Sequence, residues 1–537
     1  MIVRAKIQEA PSSSIEEQPK AAKWWAMLGI SVGVFLFALD VYIVNLALPI
    51  MVESLHTDFA TIQWVILSYL LAIAVFVLSA AKLGDRFSKK RLYVIGLLVF
   101  TLGSLLCALA PTVEWAIACR FLQGLGAAFL SGLGTAMLVE IFPPQQRGLA
   151  LGIRSGVFGL GITIGPTVGG LLVALGGWPL IFWINVPIGI IGSIAVARLV
   201  PPSAPGCVSQ RFDILGTLIL TVVLTGFSLG TTQIQMQGFD SPVALGLLGC
   251  SAIGSICFLI VQTRIPEPMV DLKLFRSIEF SMGLMLRFVG NFVMAGAIFI
   301  LPFFLELVQH YSADRTGLWL AVPPAIIVLT APVAGLLADR IGTRIVTATG
   351  LLSIALGCFV MGTFDVEFTL TRYLAGVVPY ALGVGLFQSP NNSAIMGAAP
   401  KDRLGLASGL LSLSRILGQT AGVPLAGALF SFITLANSPL ASHLEVTRAP
   451  VEALVLGMQA AFQALAALSI VATLGAAILW WLHEPLSKFW NPKKMLERQL
   501  EELARSGNLE EKTPPLLEFE PVQNLSDSQR TPGGKAR

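Results

Sequence analysis

Long apolar runs alternate with short polar breaks along almost the whole chain. A first run extends from Trp24 to Pro49, and five more follow at about 62–81, 92–110, 115–140, 149–175 and 179–199, ahead of Pro201. Two runs occupy about 214–235 and 243–263, and six more lie at about 281–308, 317–338, 345–364, 372–397, 405–434 and 457–482. An α-helix needs roughly 20 apolar residues to cross a ~30 Å hydrocarbon core. The pattern therefore predicts an all-α membrane protein with fourteen spans, six, two and six, and an even number of crossings puts both termini on one side. The first run is too long for a signal-peptide core and lacks a convincing cleavage site, so it stays as the first span. The breaks divide the chain into a tail over 1–23, a six-helix bundle over 24–200, linkers with two inserted spans over 201–280, a second bundle over 281–483 and a tail over 484–537. Within that last tail, Leu496, Leu500 and Leu503 share a face of the 487–512 segment, which suits a helix lying on a membrane surface or a solvated tail.

Composition agrees with this reading. Of 537 residues, 55% are hydrophobic and 12% charged, against roughly 25% charged in soluble domains. The formal net charge of +4 gives no reason to propose a nucleic-acid partner, so the placement of charge matters more than its sum. Lys and Arg collect in the N-terminal tail, at 82–91, at Arg147, Arg198 and Arg211, over 264–276, at Arg340 and Arg344, at Lys401 and Arg403, and over 488–494. The opposite breaks carry mainly Glu53, Asp58, Glu114, Asp240, Asp365 and Glu445. The excess of positive charge marks the cytoplasmic face, so both termini are expected there, in the plasma or bacterial inner membrane. Six cysteines, nearly all inside apolar runs, and four scattered histidines have no metal-ligand spacing, and no metal or other cofactor is expected. No GxxxxGK[ST] motif is present, so ATP is not the expected energy source. A membrane enzyme would need clustered carboxylates or histidines at one face, and a receptor would need a substantial soluble domain; neither is visible.

One polar break recurs. Lys82-Leu-Gly84-Asp85-Arg86-Phe-Ser-Lys-Lys90-Arg91 carries five cations and one carboxylate, and Gly335-Leu-Leu-Ala-Asp339-Arg340-Ile-Gly-Thr-Arg344 is a looser copy. Other stretches stand out within the spans: Leu39-Asp40-Val41-Tyr42-Ile43-Val44-Asn45 in the first, Arg120-Phe-Leu-Gln123-Gly124 in the fourth, Gly161-Ile-Thr-Ile-Gly165-Pro166-Thr-Val-Gly169-Gly170 in the fifth, and Arg415-Ile-Leu-Gly418-Gln419 in the second bundle. In this order, they resemble the major facilitator superfamily, and more narrowly its 14-helix drug:proton antiporter branch, over about residues 24–483. The resemblance implies the major facilitator fold, a small-molecule substrate, coupling to protons, and an "antiporter" motif at 161–170 that marks exporters and seals the cavity outward. It also implies that Asp85 latches the cytoplasmic side closed against a helix N-terminus of the second bundle, with Arg86, Lys90 and Arg91 adding salt bridges. The chain departs from the family pattern at Ala81 and Ser88, where Gly is preferred, so a Gly-dependent tight turn must be made otherwise.

Charges inside the membrane carry the sharpest signal. A charge at the centre of a span costs roughly 2.5–3.5 kcal/mol on insertion scales, so it faces a cavity or a partner. Asp40 and Arg120 fall at comparable depth, on helices that the family packs side by side. Asp40 is the expected proton-binding carboxylate, with Arg120 stabilising its ionised form; a static polar pair is the alternative. Glu306, near the outer interface, is either a wet carboxylate or a participant in proton or substrate recognition. Arg287 and Arg415, deep in the second bundle, serve either an anionic group on the substrate or backbone carbonyls, and Asn45 and Asn291 join them as candidate cavity residues. The expected function is a proton-coupled exporter of amphipathic or lipophilic small molecules, embedded in the bilayer and working by rocking of two bundles. The alternative is a transporter of one endogenous metabolite, a sugar derivative, siderophore or secondary metabolite, in either direction. The sequence does not fix an oligomeric state, and a single copy is the simplest expectation.

Overall fold

The computed structural model describes residues 20–201, 213–238, 240–265, 268, 270–400, 404–438 and 443–489. Fourteen helices among them are long and apolar enough to cross a membrane, and no strand occurs among the described residues. In chain order the first bundle comprises α1 (Lys20–Ser54), the short α2 (Phe59–Ile62) running into α3 (Trp64–Arg86), α4 (Lys89–Ala108), α5 (Val113–Ile141), α6 (Pro144–Gly176), and α7 (Leu180–Trp183) running into α8 (Asn185–Leu199). The inserted pair is α9 (Ile214–Gln237) and α10 (Pro242–Arg264). The second bundle comprises α11 (Ile278–Phe303), which ends in a π-helical turn over Phe304–Val308, then α12 (Ala313–Ile341), α13 (Thr343–Met361), α14 (Leu370–Ala398), α15 (Leu404–Ala436) and α16 (Val451–Phe489). The chain divides into two compact units, Met1–Ala477 and Ile478–Arg537. The bundles and the site belong to the first, and the described part of the second is the end of α16. The segment considered as an amphipathic tail helix, 487–512, lies outside the described residues beyond Phe489.

Polar side chains set the helix ends. Asp58 accepts from the Thr61 N–H at 2.8 Å to start α2, and Asp213 accepts from the Gly216 N–H at 2.7 Å to start α9. Such caps satisfy amides that a helix leaves open at its first turn. Prolines stand inside α1, α6, α11, α12, α14 and α15, which spans tolerate when neighbouring helices re-satisfy the freed carbonyls.

Each bundle leaves large apolar side chains such as Leu175 and Leu329 exposed, as a surface facing lipid allows. In the first, α1 packs on α6 and α8, and α5 on α3 and α4; in the second, α11 packs on α15, and α14 on α13 and α12. The bundles meet along α6 with α12 and along α3 with α15. At one end of this seam Phe59 packs at tilted and edge-on angles against Phe299, Phe303 and Phe430 of the second bundle, with ring centroids 4.9–5.4 Å apart. At the same end α6 and α12 approach so closely that a Cβ on Gly170 would lie 2.4 Å from the Ala313 carbonyl oxygen, and one on Gly317 2.3 Å from that of Pro166. Only glycine permits this approach.

The stretch 82–91 is shorter as a turn than its polarity predicts. α3 continues through Arg86 and α4 begins at Lys89, leaving Phe87 and Ser88 as the joint. Long Lys and Arg side chains let a helix run past the apolar layer while their charges reach water. Ser88 is extended, at φ −65°, so this joint does not require the glycine the family prefers. The second copy does require one: Gly342, between α12 and α13, sits at φ +94°. The two bundles also share a feature at the end of their first helix. His56 and His310 adopt φ 50° and 52°, the only non-glycine residues with positive φ among those described.

Candidate functional site

Asp40 lies on the face of α1 that meets α5 and is wholly buried, as is Arg120 on α5 at 1% exposure. Arg120 Nη1 donates to Asp40 Oδ2 at 2.7 Å and to Gln123 Oε1 at 2.6 Å, while its Nε donates to the Val65 carbonyl at 2.9 Å. The second carboxylate oxygen, Asp40 Oδ1, accepts from Gln123 Nε2 at 2.8 Å and from Asn185 Nδ2 at 3.1 Å. Gln123 Nε2 also donates to Ser104 Oγ at 2.7 Å. The guanidinium lies 4.1 Å above the Tyr69 ring. Desolvating two ions costs several kcal/mol each, and only good geometry with further hydrogen bonds offsets that. Here four helices, α1, α4, α5 and α8, supply those bonds, and α3 adds the Val65 carbonyl and the Tyr69 ring.

Two pockets lie at the seam, one of them against the network. One, of about 460 Å³, is lined by Tyr42, Asn45, Tyr69, Arg120, Ile298 and Gln419 among others. The other, of about 560 Å³, is lined mainly by apolar residues such as Ile298, Leu301, Pro323 and Pro324, with Tyr42 and Asn45 shared between the two. Asp40 itself lines neither, whereas Arg120 does. Asn45 donates to the carbonyl of Val41 at 2.8 Å within its own helix.

Elsewhere, the residues singled out from the sequence fall as follows. In α6, Gly161 fits against Ala38 and Phe35, Gly165 against Leu39, and Gly169 against Ile43, all on α1; Pro166 and Gly170 meet α12. Arg287 is buried, donating to the Leu411 carbonyl at 2.9 Å and to Asn392, and Asn291 donates to the Arg287 carbonyl at 2.8 Å with its own Oδ1 buried and unpartnered. Arg415 is half-buried. Glu306 is less wet than its position at the end of a span suggested. The π-helical turn keeps it half-buried, with Oε1 enclosed and unpartnered and Glu53 as its charged neighbour.

At the 82–91 joint, Gly84 packs against Leu133, and the side chains of Asp85 and Arg86 lie outside the described residues. Lys90 is half-buried and Arg91 exposed, neither in an ion pair among the described residues. The ion pair found there is Lys89 with Glu140 at 2.5 Å, within the first bundle. Asp339 and Arg340 are exposed in the last turn of α12. Reading the sequence did not assign Asn185, Ser104, Tyr69, Arg154 or the Gln63–Gln235 pair. Their signal was a polar or charged group within an apolar run, which marks an internal partner without naming it.

Twelve spans in two bundles with an inserted pair, and a buried ion pair beside a pocket at their seam, make an architecture suited to a membrane transporter. The Major Facilitator Superfamily model matches residues 30–286 and 284–520, and the chain belongs to that family. It is 33% identical over 420 residues to the multidrug resistance protein Stp of Mycobacterium tuberculosis strain H37Rv, covering 78% of each chain. It is 31% identical over 424 residues to the riboflavin transporter RibZ of Clostridioides difficile, covering 78% of this chain and 91% of that protein. To the tetracenomycin C resistance and export protein of Streptomyces glaucescens it is 29% identical over 425 residues, covering 79% and 78%. These likenesses place it in the multidrug-type branch. Among solved structures, the inward-facing bacterial homologue of the human lysosomal transporter Spinster superposes with a TM-score of 0.63 at 17% identity, covering 86% of this chain and 97% of that one, which supports the fold.

Proposed function

We propose that the chain is a proton-coupled exporter of amphipathic small molecules, exchanging proton for substrate by alternating access. The observation that carries this reading is the division of labour at the network: Asp40 is sealed from both pockets, while Arg120, its counter-ion, lines one of them. Protonating Asp40 removes the charge that holds Arg120. The guanidinium keeps Gln123, the Val65 carbonyl and the Tyr69 face as alternative partners, so it can shift within the pocket without becoming an isolated charge. A proton taken up out of reach of substrate thereby changes the pocket wall that substrate meets. The positive-inside bias puts the termini and the 82–91 joint on the cytoplasmic face, which makes the Phe59 end the outward, closed end.

The reading is tested in proteoliposomes loaded with a pH-sensitive dye and given a panel of amphipathic cations and anions. Substrate entering the lumen should move protons the other way. Absence of proton movement with every compound that is transported sinks the coupling. The likeness to a riboflavin transporter favours a second reading, in which one endogenous metabolite is carried. In that case a single compound of the panel is transported, and chemically unrelated ones do not compete with it.

A further inference from the structure

The two pockets at the seam adjoin across Tyr42, Asn45 and Ile298, which line both. Formal charge is nearly absent from their walls. No described residue lining the 560 Å³ pocket is an Asp, Glu, Lys, Arg or His. Around the 460 Å³ pocket the one charged residue among those described is Arg120. Its guanidinium is already answered within the protein, by Asp40 at 2.7 Å, by Gln123 at 2.6 Å and by the Val65 carbonyl at 2.9 Å. The walls therefore present neither an open carboxylate to an organic cation nor an open cation to an organic anion.

What the walls do present is hydrogen-bonding capacity left unused. Gln419 on α15 lines the smaller pocket at 7% exposure, and its Oε1 is buried without a partner. Tyr69 on α3 lines the same pocket at 1% exposure, with its hydroxyl also unpartnered. Tyr380 on α14 repeats this in the larger pocket at 3% exposure. A buried polar group left unpaired costs free energy, which a ligand recovers by pairing with it. A charge brought into the same enclosed space loses its hydration and needs an opposite charge to replace it. A ligand hydroxyl suits all three groups, since it can donate to an amide oxygen and either donate to or accept from a phenol. The apolar walls at Leu301, Pro323 and Pro324 suit a ring body. We propose that the seam selects uncharged, hydroxyl-bearing ring compounds, with Gln419, Tyr69 and Tyr380 as their hydrogen-bonding contacts, and disfavours organic cations and anions alike. This deepens the exporter reading, on which it rests for the seam as the place of the substrate.

Four fluorescent compounds on one anthracene frame, each substituted on the central ring, test it. They are the alcohol anthracenemethanol, methylanthracene without the hydroxyl, the cation aminomethylanthracene and the anion anthracenecarboxylate. Binding to the full-length protein in detergent is followed by fluorescence polarisation, with empty micelles as the blank. The wild type should bind the alcohol about tenfold more tightly than either ion. It should also prefer the alcohol to the methyl compound about fivefold, the scale of one hydrogen bond. The variant carrying Gln419→Leu, Tyr69→Phe and Tyr380→Phe together should lose the preference for alcohol over methyl. The three polar groups it removes hold no hydrogen bond within the protein, so it should melt with the wild type. The comparison of charges uses the wild type alone and decides even where the variant misfolds. Binding of either ion as tightly as the alcohol, equal binding of alcohol and methyl compound, a preference kept by the folded variant, or binding of none of the four overturns the proposal. Proton movement in proteoliposomes, with anthracenemethanol added to the panel, is read separately, so failure of proton coupling and failure of this selectivity are told apart.

Discussion

At the scale of residues, substitutions at the buried pair test whether Asp40 is a coupling group, as proposed, or a structural clamp. Asp40→Asn keeps the size of the side chain and one acceptor oxygen, replaces the other acceptor with an amide donor, and removes the charge. Arg120 still has Gln123 and the Val65 carbonyl. The variant is therefore expected to fold and to exchange substrate across the membrane, while accumulation driven by a proton gradient is lost. Retained gradient-driven accumulation in proteoliposomes would show Asp40 to be a clamp only. Arg120→Leu should behave differently, because it strands a buried carboxylate. Breaking one side of a buried pair costs about 3–5 kcal/mol, so this variant should melt well below the wild type in detergent. Arg120→Lys should also fail in transport by more than tenfold, since one ammonium cannot reproduce the fork to Asp40, Gln123 and Val65. Both charges were legible in the sequence as costs within apolar runs. Gln123 stood out only as part of the Arg120 stretch, and Asn185, which completes the site, did not, because an uncharged polar residue in a span serves packing and function alike.

At the scale of helices, spacing decides. The α6–α12 crossing depends on Gly170 and Gly317 meeting backbone oxygens at distances that exclude a Cβ. Gly317→Leu should push the bundles apart at this end and abolish transport while each bundle stays folded, read as protection from proteolysis with loss of substrate exchange. The joints between α3 and α4 and between α12 and α13 diverge in the same way. Gly342→Val forces a branched residue to φ +94°, at a cost of roughly 1–3 kcal/mol, and should lower the melting temperature. Ser88→Gly should not stabilise, since Ser88 is already extended, and a glycine adds only unfolded-state entropy. Melting temperatures of the two variants against wild type check both. The polar runs at 82–91 and 335–344 were visible as repeats, but their length as turns was not. Lys and Arg suit the end of a helix as well as a loop, and only the backbone path separates the two.

At the scale of the molecule, the aromatic contact at the Phe59 end is the clearest feature that the proposed alternating access would have to undo. Phe59 and Phe430 come from different bundles, with ring centroids 5.2 Å apart. Replacing both with cysteine, in a chain whose native cysteines are alanine, should allow an oxidised cross-link that stops transport and is reversed by reductant. Unaltered transport after full cross-linking would mean that this end never opens. The inserted pair also proves to be more than a spacer. Gln235 on α9 exchanges hydrogen bonds with Gln63 of the first bundle at 2.7 and 3.2 Å and donates to the Pro424 carbonyl of the second at 2.9 Å, so one side chain touches both bundles.

The sequence by itself determined the number and order of spans, the division into two bundles with an inserted pair, and the deep charges. Hydrophobic length and the cost of charge in lipid act locally along the chain, and both are read residue by residue. Only the tertiary structure decided that Asp40 is shut away while Arg120 reaches a pocket. It also set the 82–91 stretch as two helix ends around a two-residue joint. These depend on which faces of distant helices meet, and an apolar helix in lipid carries no periodic pattern of polarity strong enough to announce its partner.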